Sequence, residues 1–327
     1  MTERPVVVIL GAAPDDPPPG IEAAVAFADL RLAPGPAELD EALPGASALF
    51  FWRAEREWLV ETWSRASDLR WIQTASDGVD GLLFPELVAS DVEVTNGRGV
   101  FDEPIAEWVI AAIGAFATGL AVSVRDTVAR RWDDERRRDR IAGSRLLVVG
   151  PGPIGRATAR RAAALGMEVD AVGRHARDDG PFGRILGPED LHGALGRADH
   201  VLDALPMAPG TQAYFDDAAF SAMRTNARFY NVGRGGTVDQ VALIDALRDG
   251  RIAGAALDVF EEEPLAADSA LWRMPNVIVS PHVCGDFDGW ERVVVELFVE
   301  NLGRFVRGEP LVNPVDPVAG FGVEPGS

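Results

Sequence analysis

The sequence predicts an α/β protein made of two doubly wound parallel-sheet domains, one inserted in the other. Three observations predict it. Short apolar runs alternate with helical patterns along the chain, as strands joined by helical crossovers do. The alternation runs through twice, with no flexible or low-complexity linker between the two stretches. A long amphipathic segment is left over near the C-terminus, and the first stretch has too few strands to stand alone, so this last helix is expected to return to it.

Taken in order, "VVVIL", "ASALFFW", "LRWIQTAS" and "VEVTNG" read as strands of the first stretch, with "PAELDEAL" and "REWLVETWSRAS" as helices between them. In the second stretch the strands are "SRLLVVG", "MEVDAVG", "ADHVLDALP", "ARFYNVG", "IAGAALDVF" and "NVIVSPH". Its helices are "IGRATARRAAALG", "PEDLHGALG", "DDAAFSAM" and "DQVALIDALRDG". "GWERVVVELFVENLGRFVRG" is the closing helix. This organisation puts residues 1–98 and 288–327 in one domain and residues 99–287 in the inserted one.

The uncharged stretch Trp108–Val124 lies near the lower length limit for spanning a bilayer. Glu107 and Arg125 bound it closely and its small residues suit helix packing, so it is expected to be a buried helix, at the interface of a homodimer. The dense basic run Arg125–Arg140 is interleaved with Asp and Glu and reads as a solvated helix laced with ion pairs.

Composition excludes several function classes. The net charge of −20 disfavours partners with phosphate backbones or anionic lipid faces, so neither nucleic acid nor membrane is expected. There is no lysine, and hence no Schiff-base lysine. The single cysteine, Cys284, rules out a disulfide framework and points to a cytoplasmic setting. His175, His192, His200 and His282 show no metal-ligand spacing.

The stretch "VVGPGPIGRATARRAAALG" carries the first chemical signal. An apolar run leads into Gly150-x-Gly152-x-x-Gly155 and then into a helix, the order of a dinucleotide-binding, Rossmann-type fingerprint. Gly150 would allow the tight turn, Gly152 the approach of a pyrophosphate, and Gly155 the close packing of helix on strand. The pyrophosphate would sit at the helix N-terminus, beside Pro153 and Ile154. At the end of the next strand, where an acidic residue would hold the ribose 2′-OH of NAD, the chain has Gly173, followed by Arg174, His175 and Arg177. Arginines there suit a 2′-phosphate, so NADP is the preferred cofactor and NAD a possible one.

Arg234, Glu263 and His282 each follow a predicted strand, where ligands of open α/β sheets bind. Singly, each has an ordinary reading: a surface turn, a member of an acidic run, a core histidine. Together they are an anion binder, a carboxylate and a proton-transfer group. Trp52 ends its strand and reads equally as a pocket residue or as core packing. A Cys284–His282 nucleophile is the less favoured chemistry.

The stretches "VVGPGPIG", "FYNVGRGGTVDQVALIDALRDGRIAGAALDVFEEEPL" and "NVIVSPHVCG" resemble the D-isomer-specific 2-hydroxyacid dehydrogenases, over nearly the whole chain. The resemblance is closest to the NADP-dependent glyoxylate and hydroxypyruvate reductase members. It implies an NAD(P)-dependent oxidoreductase acting on CH–OH donors, with a small 2-oxo or 2-hydroxy acid as substrate. It implies His282 as acid/base, Glu263 as its partner and Arg234 as substrate anchor. Backbone N–H groups of Gly78 and Val79 would hold the substrate carboxylate. Asp258 would meet the nicotinamide carboxamide, and Pro206, Thr211, Val232, Gly233, His282 and Gly285 would line the cofactor. Departures are Ala208 where threonine is common, Cys284 where a small residue is common, and Gly173 in place of Asp. A phosphoglycerate-type dehydrogenase and a nucleotide-sensing regulatory protein remain the alternatives; Glu263 argues against formate-type chemistry.

Overall fold

A computed structural model describes residues 4–135, 138–180, 182–318 and 321–322. The chain divides into two units, one formed by 1–101 and 287–327 and the other by 102–286. The first segment contributes β1 (Val6–Leu10), β2 (Asp29–Ala33), α1 (Pro36–Ala42), β3 (Ala48–Phe51), α2 (Arg56–Thr62), β4 (Trp71–Thr74), α3 (Pro85–Val88) and β5 (Glu93–Thr95). Its strands form one parallel sheet, ordered β2-β1-β3-β4-β5. Alternation along these strands makes two cores. Val8, Leu10, Leu49, Phe51 and Ile72 face one side, with Leu39 of α1 and Leu59 of α2. Val7, Ile9, Ala48, Phe50 and Trp71 face the other.

The inserted unit runs α4 (Asp102–Ala117), α5 (Leu120–Ala129), β6 (Arg145–Val149), α6 (Pro153–Ala164), β7 (Glu168–Val172), β8 (Arg177–Asp179) and β9 (Gly183–Leu186). It continues with α7 (Leu191–Leu195), β10 (His200–Asp203), α8 (Asp217–Ala222), β11 (Arg228–Asn231), α9 (Gln240–Arg248), β12 (Gly254–Leu257) and β13 (Val277–Val279). The sheet order is β13-β12-β11-β10-β6-β7-β9-β8, parallel except for the β8–β9 hairpin. Asp216 and Asp239 start α8 and α9 by accepting the N–H groups of Ala219 and Ala242. The strand order reverses between β6 and β10, the place where open α/β sheets form a ligand crevice.

The chain then returns to the first unit with α10 (Trp290–Arg307), β14 (Val315–Asp316) and β15 (Phe321–Gly322). Val294, Val295, Phe298 and Leu302 of α10 join the core of Val7, Ile9, Phe50 and Trp71. Phe298 stacks on both Phe50 and Trp71.

Two expectations need correction. The Trp108–Val124 stretch is two helices, not one: Gly119 takes φ 73° between α4 and α5, and the helices are bent by 64°. No single helix among the described residues is long and apolar enough to cross a membrane. The basic run is helical only to Ala129, where Arg130 adopts the left-handed conformation and ends α5; the residues from Arg131 to Arg140 that are described are not helical, and Arg136 and Arg137 lie outside them.

Candidate active site

Register in the second sheet sets the site. Val172, Val149, Asp203, Asn231, Leu257 and Val279 form one row across β7, β6, β10, β11, β12 and β13. The next residue of each strand, from Gly173 and Gly150 to Asp258 and Ser280, therefore emerges along one edge, the carboxyl edge.

Two of the three fingerprint glycines have a steric reason. Gly150 has φ 95°, and a Cβ there would come within 2.6 Å of the Ala204 carbonyl oxygen. A Cβ on Gly155 would meet the Gly150 carbonyl oxygen at 2.5 Å, because α6 packs directly on its own strand. A Cβ on Gly152 would meet nothing within 4 Å, so internal packing does not demand glycine there. Gly152 is the N-cap of α6 and Pro153 its first residue, so the first N–H groups of the helix point out at this edge without intrahelical acceptors.

The rim beyond β7 is the β8–β9 hairpin. Gly173 is packed tightly: a Cβ would meet Ile185 and Pro151 at 3.0 Å each, so a larger side chain there would crowd both. Arg156 of α6 grips Asp179 with two bonds, 2.7 and 2.6 Å. Arg177 lies 4.0 Å from that carboxylate and donates to the His175 carbonyl at 3.4 Å. Arg174, His175 and Arg177 are all exposed.

Glu263 and His282 meet. Glu263 Oε2 lies 2.7 Å from His282 Nδ1, and Oε1 accepts the Phe260 N–H at 2.9 Å. His282 has φ 57°, a left-handed conformation held by its N–H donating to the Asp258 carbonyl at 2.8 Å. The Glu263 bond raises the His282 pKa above its ordinary value, against the opposing pull of burial and of the Arg234 charge. For Glu263, burial pushes upward but is outweighed by His282, the Phe260 N–H and Arg234, and its pKa is lowered. Arg234 thus acts electrostatically on both partners. It is brought there by a close backbone crossing: a Cβ on Gly235, the next residue, would stand 1.8 Å from the carbonyl of Phe260.

Three buried polar residues that the sequence reading passed over hold these loops. Asn231 accepts the Gly233 N–H at 3.0 Å and donates to the Arg234 carbonyl at 3.1 Å, clamping the turn from both sides. Thr237 donates from behind it, and Asp203 backs Thr237. The Asp258 carboxylate accepts the N–H groups of Val283 and Cys284, at 3.0 and 3.1 Å, and anchors the segment after His282.

Residues 110–284 match the family model for the D-isomer specific 2-hydroxyacid dehydrogenase, NAD binding domain. The chain belongs to this family. It is 34% identical over 254 residues to a (S)-sulfolactate dehydrogenase of Chromohalobacter salexigens, covering 77% of this chain and 81% of that one. It is 32% identical over 257 residues to a glyoxylate reductase of Korarchaeum cryptofilum, covering 76% and 77%. Among solved structures, it superposes with TM-score 0.83 and 29% identity on an NADPH-dependent glyoxylate/hydroxypyruvate reductase of Sinorhizobium meliloti, in complex with NADP and sulfate, covering 98% of this chain and all of that one. The chain is therefore an NAD(P)-dependent 2-hydroxyacid dehydrogenase.

The remaining candidate positions of this dehydrogenase fall as follows. A Cβ on Gly233 would collide with the Leu205 carbonyl at 2.4 Å, so Val232 and Gly233 lie against the loop of Pro206. The Thr211 hydroxyl is spent inside that loop, bonded to the Pro206 and Ala208 carbonyls and to the Ala208 N–H. Gly285 follows the segment that Asp258 anchors. In the other unit, Asn96 donates to the Asp77 carbonyl and Ser76 to the Gly78 carbonyl, each at 2.6 Å. Each trans peptide then turns its N–H the opposite way, and among the described residues the N–H groups of Gly78 and Val79 find no acceptor. Trp52 is buried between Phe50 and Trp290, which fits the core-packing reading. Cys284 is buried and its thiol is pushed far up by burial and by Asp258, which removes it as a nucleophile. The described residues hold no group of metal ligands.

Proposed function

We propose that this dehydrogenase reduces small 2-oxo acids of the glyoxylate and hydroxypyruvate type, preferring NADPH. The observation that carries the reading is the Glu263–His282 pair beside the Arg234 turn, at the same sheet edge as the glycine loop. A bound nicotinamide cofactor would supply the hydride. Glu263 holds the Nδ1 proton of His282, so Nε2 carries the proton given to the developing alkoxide. The raised pKa favours the charged imidazole that the reductive direction needs. Arg234 binds the substrate carboxylate and polarises its neighbouring carbonyl. The N–H groups of Gly78 and Val79, without an acceptor among the described residues, suit a carboxylate.

The residues present fit a dinucleotide. Gly152 leaves backbone accessible at the start of α6, and Pro153, Ile154 and Gly155 form its first turn. Val232, Gly233, Pro206 and Gly285 line the same edge. NADPH is favoured because the crowded Gly173 replaces an acid, and because the exposed Arg174, His175 and Arg177 follow it at this rim, where arginines suit a 2′-phosphate. A tenfold preference needs only about 1.4 kcal/mol. Turnover of glyoxylate, hydroxypyruvate and pyruvate with each cofactor tests both statements. The expected kcat/KM ratio favours NADPH tenfold or more in the parent and collapses in Arg174→Ala. Equal values in the parent, or an NADH preference, would overturn the reading of this rim.

A homodimer is part of this proposal. Leu120, Val124 and Val128 of α5 recur every four residues and are 57%, 59% and 84% exposed, with Trp132 beyond them at 90%. Sedimentation at micromolar concentration should show a dimer that Val124→Glu dissociates; a monomeric parent would refute it.

A further inference from the structure

Asp203 is the last residue of β10 and has no exposure to solvent. Its Oδ1 accepts the Leu205 N–H at 3.0 Å, and its Oδ2 lies 2.5 Å from the Thr237 hydroxyl. That hydroxyl also lies 2.6 Å from the carbonyl oxygen of Arg234. Thr237 has one hydroxyl hydrogen, and a carbonyl and an ionised carboxylate can only accept. With Asp203 ionised, one of the two short contacts would set acceptor against acceptor. With Asp203 neutral both are satisfied: the acid donates to Thr237 Oγ, and Thr237 donates to Arg234.

The surroundings agree. Val149 and Asn231, its register partners on β6 and β11, carry no charge. Asp203 makes no ion pair among the described residues, and burial, opposed by the Thr237 and Leu205 bonds, pushes its carboxyl up to about 7. Two other ionisable groups face the network. Tyr214, from the loop before α8, has its hydroxyl raised by burial and then by the charges of Asp203 and Glu189. Arg234 itself acts on Glu263 and His282.

We propose that Asp203 is a positioning residue for Arg234, holding its turn through Thr237 as a neutral acid and loosening it when ionised. The proposal rests on Arg234 being the substrate anchor. Ionisation draws the Thr237 hydrogen away from the Arg234 carbonyl, which keeps only the Asn231 amide and the Thr237 N–H, at 3.1 and 3.2 Å. Affinity for a 2-oxo acid then falls on the alkaline side for a reason separate from His282.

The test compares the parent with Asp203→Asn, which keeps a donor toward Thr237 and an acceptor for Leu205 but cannot ionise. KM for glyoxylate or hydroxypyruvate in the parent should rise by up to about tenfold per pH unit once Asp203 ionises. KM in Asp203→Asn should lack that rise, while kcat keeps the His282 dependence in both. Thr237→Val, which cuts the relay, should raise KM at every pH. The second readout needs no substrate: the 15N NMR signal of the Arg234 Nε–H, assigned by its loss in Arg234→Lys, should show in the parent a transition with a midpoint near 7 that Asp203→Asn lacks, beside the shift that His282 brings to both. A KM profile identical in parent and Asp203→Asn overturns the proposal. If no 2-oxo acid is turned over, the proposed function fails by itself and the NMR titration decides: a signal that titrates alike in the parent and in Asp203→Asn overturns the positioning role.

Discussion

His282→Asn should lower the rate of 2-oxo acid reduction by about 10²- to 10⁴-fold, with cofactor affinity unchanged. Asparagine can still contact Glu263 but cannot deliver a proton at the far side of the ring. Glu263 raises the His282 pKa by accepting the Nδ1 proton, so the reductive rate in the parent should be full at acid pH and fall as pH climbs through that raised value. The sign follows from the reaction, because reduction consumes the imidazolium proton. The oxidative direction needs the neutral ring and should show the opposite limb. Steady-state kinetics in both directions, with cofactor binding followed by fluorescence, check this. Turnover at the parent's rate in His282→Asn would remove the histidine from the chemistry.

Arg234→Lys should raise KM for the 2-oxo acid by roughly 10- to 100-fold, the loss of one charge-assisted contact of about 1.5–3 kcal/mol. Lysine keeps the positive charge but not the planar fork that meets a carboxylate at two points. The backbone of the turn should survive the change, since Asn231, Thr237 and the crossing of Gly235 over Phe260 hold it independently of the side chain. Cofactor affinity is therefore expected to stay near that of the parent. A lysine variant with the parent's KM would show that charge alone suffices.

Much of the fold is legible in the residues because its signals are local. "RLLVV" followed by three spaced glycines announces a strand, a turn and a close-packed helix, and Gly150 and Gly155 each prove to have a steric reason. Other elements carry weaker local signals. β2 reads "DLRLA", with a charge at alternate positions, and is recognisable only from its pairing with β1. The β8–β9 hairpin has the strand "RDD", which no hydrophobic pattern marks; it exists because β9 adds to β7 and Arg156 secures Asp179. The break at Gly119 was hidden inside an uncharged run whose composition suits either one helix or two.

The site divides in the same way. Arg234, Glu263 and His282 can be singled out because their side chains suit anion binding and proton transfer and each follows an apolar strand. Asp203, Asn231 and Thr237 cannot, because their roles come from register: β10 and β11 end on the same row, and the Arg234 turn closes over both. Asp258 stands between the two: its place at a strand end can be read from the residues, but the Val283 and Cys284 N–H groups that its carboxylate accepts cannot.

Hydride transfer to C2 of a small 2-oxo acid, with the Arg234, Glu263 and His282 side chains, is the reaction proposed for this chain. Isotope transfer tests it most directly: the parent is incubated with NADPH deuterated at nicotinamide C4, alongside glyoxylate, hydroxypyruvate or pyruvate, and the product is analysed by mass spectrometry and NMR. Deuterium is expected at C2 of the 2-hydroxy acid from at least one of these, at a rate lowered by about 10²- to 10⁴-fold in His282→Asn. A parent that binds NADPH yet labels none of the three, or a His282→Asn variant that labels as fast as the parent, would contradict it.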